Sequence, residues 1–408
     1  MRLSRRALLA ASTVAVAAQP ALRARAQAAQ TIRIGCLTDM SGPYKDLAGP
    51  GAVAAANQAV EEFGAAGKGL KVEVLVADHL NKPDVGTTIA RQWFDRDGVD
   101  VLVEVANSGV ALAVAGVAKE KNKVYLNSGA ATSDLTAAAC NANTIHWAYD
   151  TYMLAKSTGG AMVKAGGDSW FFVTADYAFG KALQRDTTSF VTAENGKVVG
   201  SVTYPFPGTS DFSSYLLQAQ SSGAKVLGLA NAGTDTINTI KQAKEFGLKM
   251  QLAGLLLFIT DVHSLGLDVA QGIALTDSFY WDMNDRARAF SNRFSPRAGG
   301  ARPTMVQAGV YSSTLHYLKT VMDMGPAEAR KDGAATVARM KAIPTDDDCF
   351  GPGSIRIDGR KIHPSYLWEV KTPAESKGAW DYYKPVATTP ADQAFRPLDK
   401  GGCPLVKA

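Results

Sequence analysis

Short apolar runs of strand length alternate with stretches of helical period along most of this chain. The rhythm is clearest from Val99 to Thr136. Val99–Val105 is an apolar run of buried-strand length, followed by the loop Ala106-Asn107-Ser108-Gly109. An Ala/Val-rich helical pattern covers Val110–Lys119 and stops in a Lys/Asn cluster. A second run, Val124–Leu126, enters the loop Asn127-Ser128-Gly129-Ala130-Ala131-Thr132. Strand, helix and strand in this order predict parallel neighbours joined by a right-handed crossover. Both loops then leave the carboxyl ends of their strands at one sheet edge, where ligands of open α/β sheets bind. Each loop alone fits ordinary helix capping. Two such loops at one edge, rich in hydroxyls and free N–H groups, make a candidate site for a carboxylate or carbonyl.

The same alternation extends both ways. Strands are predicted at Thr31–Leu37 and Leu70–Ala77, with helices near Pro50–Phe63 and Thr87–Asp95. His146–Tyr152 interrupts the pattern, which then starts again. It gives a helix over Tyr152–Ala165 and strands at Ser169–Thr174, Lys197–Tyr204, Val226–Ala230, Gln251–Leu257 and Gly272–Thr276. Helices are predicted at Lys181–Glu194, Phe212–Ser221, Thr234–Glu245, Asp285–Phe294 and Met305–Met322. Asp358-Gly359 is a hairpin signal between Ser354–Ile357 and Ser365–Val370, and the Pro-, Lys- and Ala-rich tail beyond Thr372 reads as an irregular arm. Two successive α/β units with several chain passages between them predict a two-lobed hinge protein with a ligand cleft.

The 408 residues are 46% hydrophobic and 20% charged, a globular composition with room for two domains. The net charge of +5 resides in the first 26 residues, whose five arginines face no acidic residue. The remaining body is near neutral, which argues against nucleic acid or an anionic membrane as partner. That first segment reads as a twin-arginine-like export signal. It has Ser4-Arg5-Arg6-Ala7-Leu8-Leu9, the apolar stretch Ala7–Ala18, and Ala24-Arg25-Ala26 as a cleavage site. A soluble, periplasmic mature protein follows from it. Of four cysteines, which allow three pairings, Cys140 in a polar loop and Cys403 in the Gly-Gly-Cys-Pro tail are the favoured pair, and Cys36 reads as a buried thiol.

Catalytic constellations are missing from the sequence. It has no C-x-x-C, H-E-x-x-H or G-x-S-x-G, and His79, His146, His263, His316 and His363 have no metal spacing. Asp346–Asp348 lacks the calcium-loop pattern. Gly49-Pro50-Gly51-Ala52-Val53-Ala54 matches a dinucleotide fingerprint, a remote dehydrogenase alternative, but it lies beyond the tight turn after the first strand. The reading is a binding protein with no enzyme activity, no cofactor and no metal.

Asp39-Met40-Ser41-Gly42-Pro43, Asn107-Ser108-Gly109-Val110-Ala111, Ser128-Gly129-Ala130-Ala131-Thr132, Asp176-Tyr177-Ala178-Phe179-Gly180 and Lys241-Gln242-Ala243 occur in this order. In these the chain resembles the periplasmic substrate-binding proteins of ABC importers, the type I or leucine/isoleucine/valine-binding family. Its Phe279-Tyr280-Trp281-Asp282 segment, C-terminal arm and Gly-Cys-Pro end are similar to the aromatic-acid-binding members. The resemblance implies two α/β lobes, each a parallel sheet flanked by helices, with three hinge crossings. Residues 31–149 and 281–347 would form one lobe, 150–280 and 348–372 the other, and 373–408 an arm. It implies an inner-membrane ABC permease as partner, a small-molecule ligand and a monomeric state. Asn107, Ser108, Ala130 and Thr132 would hold a ligand carboxylate. Tyr177 or Phe179 would supply an aromatic wall and Asn231 the next loop, with Tyr44, Tyr152, Leu257 and Tyr280 at strand ends or crossings. Family members that bind amino acids place a carboxylate after the strand that here leads into Leu255-Leu256-Leu257-Phe258. No acid precedes Asp261, so the expected ligand is a small carboxylate with an aromatic body. A branched-chain amino acid or amide binder and a ligand sensor remain as alternatives.

Overall fold

The computed structural model describes residues 30–407, so the export segment lies outside the described residues. The first sheet holds β1 (Gln30–Thr38), β2 (Leu70–Asp78), β3 (Val101–Glu104), β4 (Val124–Asn127) and β5 (Thr144–His146). Its order is β2-β1-β3-β4-β5 and every pair is parallel. The second holds β6 (Ser169–Ala175), β7 (Lys197–Tyr204), β8 (Val226–Ala230), β9 (Gln251–Gly254) and β10 (Ala274–Asp277), all parallel. β3, β4 and β8 are buried throughout because helices cover both faces, so they read as unbroken apolar runs. This is the two-lobed α/β fold of type I periplasmic binding proteins.

Later segments complete each lobe. Helix Met305–Met324 lies along helix Gly49–Phe63 of the first lobe. A side chain at Gly51 would sit 2.1 Å from Gln307 Nε2, so this glycine of the fingerprint-like stretch serves helix contact. The chain passes between lobes at residues 147–150, 278–284 and 363–364, three crossings in all.

Two boundaries differ from the sequence reading. The hairpin of β11 (Ser354–Ile355) and β12 (Lys361–Ile362) turns at Asp358-Gly359, but it docks on the first lobe. Arg360 bridges to His146 at the end of β5. Its fully buried guanidinium donates to the carbonyls of Trp147 (2.6 Å) and Tyr149 (3.1 Å) and lies 3.5 Å from Asp150. Residues 348–362 therefore pack with the first lobe rather than the second. Beyond residue 372 the chain is not wholly irregular. β13 (Ser365–Val370) pairs antiparallel with β10, and β14 (Tyr383–Thr389) pairs antiparallel with β13 to close the second sheet's edge. Pro385 stands opposite Trp368 at a register shift, a position where proline is tolerated in an edge strand. Past β14, a disulfide joins Cys403 to Cys140 of the first lobe, their Cα atoms 5.5 Å apart. Cys36 and Cys349 are free and buried.

Candidate functional site

The floor of the cleft on the first lobe is built by loops that satisfy themselves. Buried Asp39, just past β1, accepts the N–H groups of Gly42 (2.6 Å) and Tyr44 (2.8 Å) and the side-chain amide of Asn81 (2.7 Å). That fan of donors turns the chain and delivers Tyr44 to the cleft. Asn107 caps helix Ser108–Glu120 by accepting from Gly109 and Val110. Ser108 Oγ accepts the N–H of Thr132 at 3.2 Å, which stitches the two loops together. Asn127 accepts the N–H of Ala130 and donates to its carbonyl. Thr132 Oγ1 accepts from Asp134.

From the second lobe, Tyr177 ends the loop after β6 and caps helix Ala178–Ala193. Its ring stacks on Phe206 with centroids 4.3 Å apart, and Tyr44 stacks on the same phenylalanine at 5.5 Å. The Tyr44 and Tyr177 hydroxyls bond to each other across the cleft. Burial, with each phenol close to the other, pushes the Tyr44 pKa up, and burial does the same at Tyr177. Both hydroxyls stay protonated donors. Nearby the lobes also meet through backbone. The Pro43 carbonyl accepts the N–H of Thr234 at 3.2 Å, at the start of helix Thr234–Glu245.

Between these walls lies a cavity of about 10 Å³, lined by Tyr44, Tyr149, Tyr177, Phe179, Leu256 and Phe258 among others. It has the room of one water molecule. The backbones of Ala106, Gly129 and Ala131 complete the first-lobe side. No charged side chain lines it. Asp261 is spent elsewhere, accepting the N–H of Phe258 at 2.9 Å inside the cap of helix Ile259–Leu265.

Of the residues singled out from sequence, Tyr44, Tyr177 and Phe179 line the cavity. Asn107, Ser108, Ala130 and Thr132 stand just behind it, and the small residues beside them, Ala106, Gly129 and Ala131, form the surface. Asn231 is buried with its amide bonded to Thr236 and Thr239, and Ala232 takes the lining position. Three others lie away from the lining. Leu257 packs into the second lobe's core, because β9 ends at Gly254 and a tight turn gives Leu256 and Phe258 to the cleft. Tyr152 packs edge-on against Phe190 beneath Arg396. Tyr280 packs against Trp368 and Tyr383 and donates to the Trp380 carbonyl at 3.1 Å. Phe258, expected with Leu257 at the apolar end of the cleft, does line it, whereas Tyr149, Leu256 and Phe206 went unselected in the sequence. Tyr149 and Phe206 each lie within three residues of a strand's carboxyl end, the signal that could have found them. Among the described residues, no group of three or more His, Cys, Asp or Glu could hold a metal ion.

Residues 31–379 match the family model described as periplasmic binding protein. The chain belongs to the periplasmic binding protein family. This binding protein is 50% identical to a Burkholderia mallei periplasmic binding protein of known structure, over 93% of this chain and 100% of that one, with a TM-score of 0.89. It is 42% identical to a branched-chain amino acid ABC transporter periplasmic ligand-binding protein from Burkholderia xenovorans LB400, over 92% and 99%, TM-score 0.79. A solute-binding protein of an ABC transporter from R. palustris, solved in complex with benzoate, is 22% identical over 92% and 99%, TM-score 0.80, a likeness of fold alone. This binding protein is thus a substrate-binding protein of the ABC-transporter type, on the branched-chain amino acid branch, and its relatives are not enzymes. Among the described residues no helix is long and apolar enough to cross a membrane.

Proposed function

We propose that the chain captures a small carboxylate with an aromatic or other apolar body, closes its two lobes on it, and hands it to an inner-membrane permease from the periplasm. The observation that carries this reading is the cavity wall. Aromatic and aliphatic side chains make up its second-lobe side, and no anionic side chain lines it. An ammonium buried there without an anion or several acceptors costs several kcal/mol, on the order of a thousandfold in affinity. An aryl carboxylate avoids that cost. Its ring meets Tyr177, Phe179, Leu256 and Phe258, and its carboxylate takes the tyrosine hydroxyls beside the Ala106–Gly129 wall. The fold hosts such a ligand in the R. palustris benzoate complex.

The name of the 42%-identical B. xenovorans protein favours a second reading, a branched-chain amino acid ligand. Native mass spectrometry of protein purified from its own host separates the two. A co-purifying aryl carboxylate supports the first reading. Leucine, isoleucine or valine overturns it.

A further inference from the structure

Behind the cavity wall lies an acidic group that the recognition scheme above leaves unused. Glu104, the last residue of β3, is fully buried. A side chain at Gly129 would come within 1.9 Å of its Oε1 and 2.8 Å of Ala106 Cα. Gly129 and Ala106 both line the cavity, so the carboxyl fills the space directly beneath them. The Thr38 hydroxyl and the Val105 and Ala106 N–H groups lie close to the carboxyl, but none makes a well-formed hydrogen bond with it. The N–H of Val105 is already given to the Leu37 carbonyl at 3.0 Å.

The backbone that places the carboxyl there is itself unusual. Glu104 and Val105 have φ of 79° and 66°, two consecutive left-handed residues without a glycine. For a β-branched valine this is a rare conformation, of a kind found at ligand sites. The groups facing Glu104 come from four places. They are Cys36 on β1, Asp39 just after it, Tyr125 on β4, whose hydroxyl donates to the Glu104 carbonyl at 3.4 Å, and Tyr149 after β5. None of them is a cation.

We propose that Glu104 is the charge-selecting residue of the cleft: uncharged, it lets a ligand carboxylate rest on the Ala106–Gly129 wall, and ionised, it repels one. This rests on the carboxylate reading of the ligand given above. Burial first, and the neighbouring Asp39 charge, push the Glu104 pKa up to about 8, against the nearby Thr38, Val105 and Ala106 groups. The acid is therefore neutral at pH 7. A bound anion raises its pKa further, so binding takes up a proton once the pH exceeds about 8. Affinity is full below that pH and falls above it. Burial holds Cys36, Tyr125 and Tyr149 well above their ordinary values, so these neighbours do not titrate in this window. Asp261 and Asp277, pushed up to about 7 and about 8, do, and the Glu104→Gln comparison separates their contribution from that of Glu104.

The test is calorimetric titration of the mature protein and of Glu104→Gln with benzoate and with leucine, between pH 6.5 and 9.5. The wild type is expected to lose about tenfold in benzoate affinity across that range, with proton uptake seen as a dependence on buffer ionisation enthalpy. Glu104→Gln is expected to bind benzoate as the wild type does at pH 7, with a flat profile. Parallel profiles in the two proteins overturn the proposal and leave the carboxylate reading standing. Leucine binding with no benzoate binding at any pH overturns both. If Glu104→Gln does not fold, wild-type protein labelled at the glutamate carboxyl carbon gives the answer by NMR. One carboxyl should titrate near pH 8 and move upward with benzoate, and a spectrum without it refutes the assignment.

Discussion

The phenol of Tyr44 on one lobe and the phenol of Tyr177 on the other bond to each other across the cleft, with Phe206 stacked against both rings. The lips of the cleft are thus held by side chains that also line its cavity. A ligand the size of benzoate needs far more room than about 10 Å³. These two tyrosines must separate or turn to admit it, and their hydroxyls are then free to bond to it. Tyr44→Phe keeps the stacking and removes the hydroxyl. It should lower ligand affinity by about three- to tenfold, the worth of one net hydrogen bond. It should also enlarge the ligand-free radius in small-angle scattering. Unchanged affinity and unchanged scattering would remove this pair from the closure mechanism.

Gly233 tests closure at the lip of the cleft, where an added Cβ would meet the Pro43 backbone and, at 3.1 Å, the Tyr44 ring. Its φ is 59°, and a Cβ there would lie 2.3 Å from the Pro43 carbonyl of the opposite lobe. Gly233→Ala should hinder the lobes from meeting at this lip and weaken ligand binding by about tenfold or more, from strain of 1–3 kcal/mol. Gly266→Ala, also at positive φ (75°) but with open space around it, is the matched control. Equal affinities in the two variants would show that the Pro43–Thr234 contact does not limit closure.

The tail is fixed by covalent and ionic contacts together. Cys403 is bonded to Cys140 across a sequence separation of 263, and Arg396 donates to Ser133 at 2.8 Å. Removing such a link should cost about 2–5 kcal/mol. Cys403→Ser should therefore unfold at markedly lower denaturant than the parent, and a reductant should do the same to the parent alone. A reductant that also destabilises Cys403→Ser would point to another origin.

Stability should fall as the pH rises from 6.5 to 8. Burial pushes Asp277 up to about 8, against the N–H groups of Phe279 and Ser278, and Glu104 to the same value. Both acids keep a proton in the folded chain that the unfolded chain has already lost above pH 5. The folded state binds more protons, so its advantage declines with pH until about 8. Burial lowers His79 to about 4 and His146 well below its ordinary value. These histidines oppose the trend mainly below pH 6.5, outside this window. Thermal unfolding should show a midpoint lower by about 2–4 °C at pH 8 than at pH 6.5. Asp277→Asn should reduce that difference, and a midpoint that rises with pH would contradict the assignment.

Much of the framework was readable in the sequence, because buried parallel strands declare themselves as short apolar runs. Tyr44, Tyr177 and Phe179 could be placed at the cleft from strand ends together with the family resemblance. Position within a loop was less accessible. Leu257 and its neighbours are all apolar, so nothing in Leu255–Phe258 reveals that a turn after Gly254 hands Leu256 and Phe258 to the cavity. Tyr280 lies beside a crossing, but its partners Trp368, Tyr383 and Trp380 come from about a hundred residues later. Glu104 looked like one polar residue closing an apolar strand. Its burial becomes visible only where Gly129 packs over it.

The central claim is the class of ligand, and a competition by calorimetry tests it most directly. Mature protein at pH 7 is titrated with leucine, benzoate, 4-hydroxybenzoate and coumarate under identical conditions. The absence of an anionic lining group should leave leucine at least tenfold weaker than the best aromatic acid. Leucine binding tighter than every aromatic acid would contradict the account.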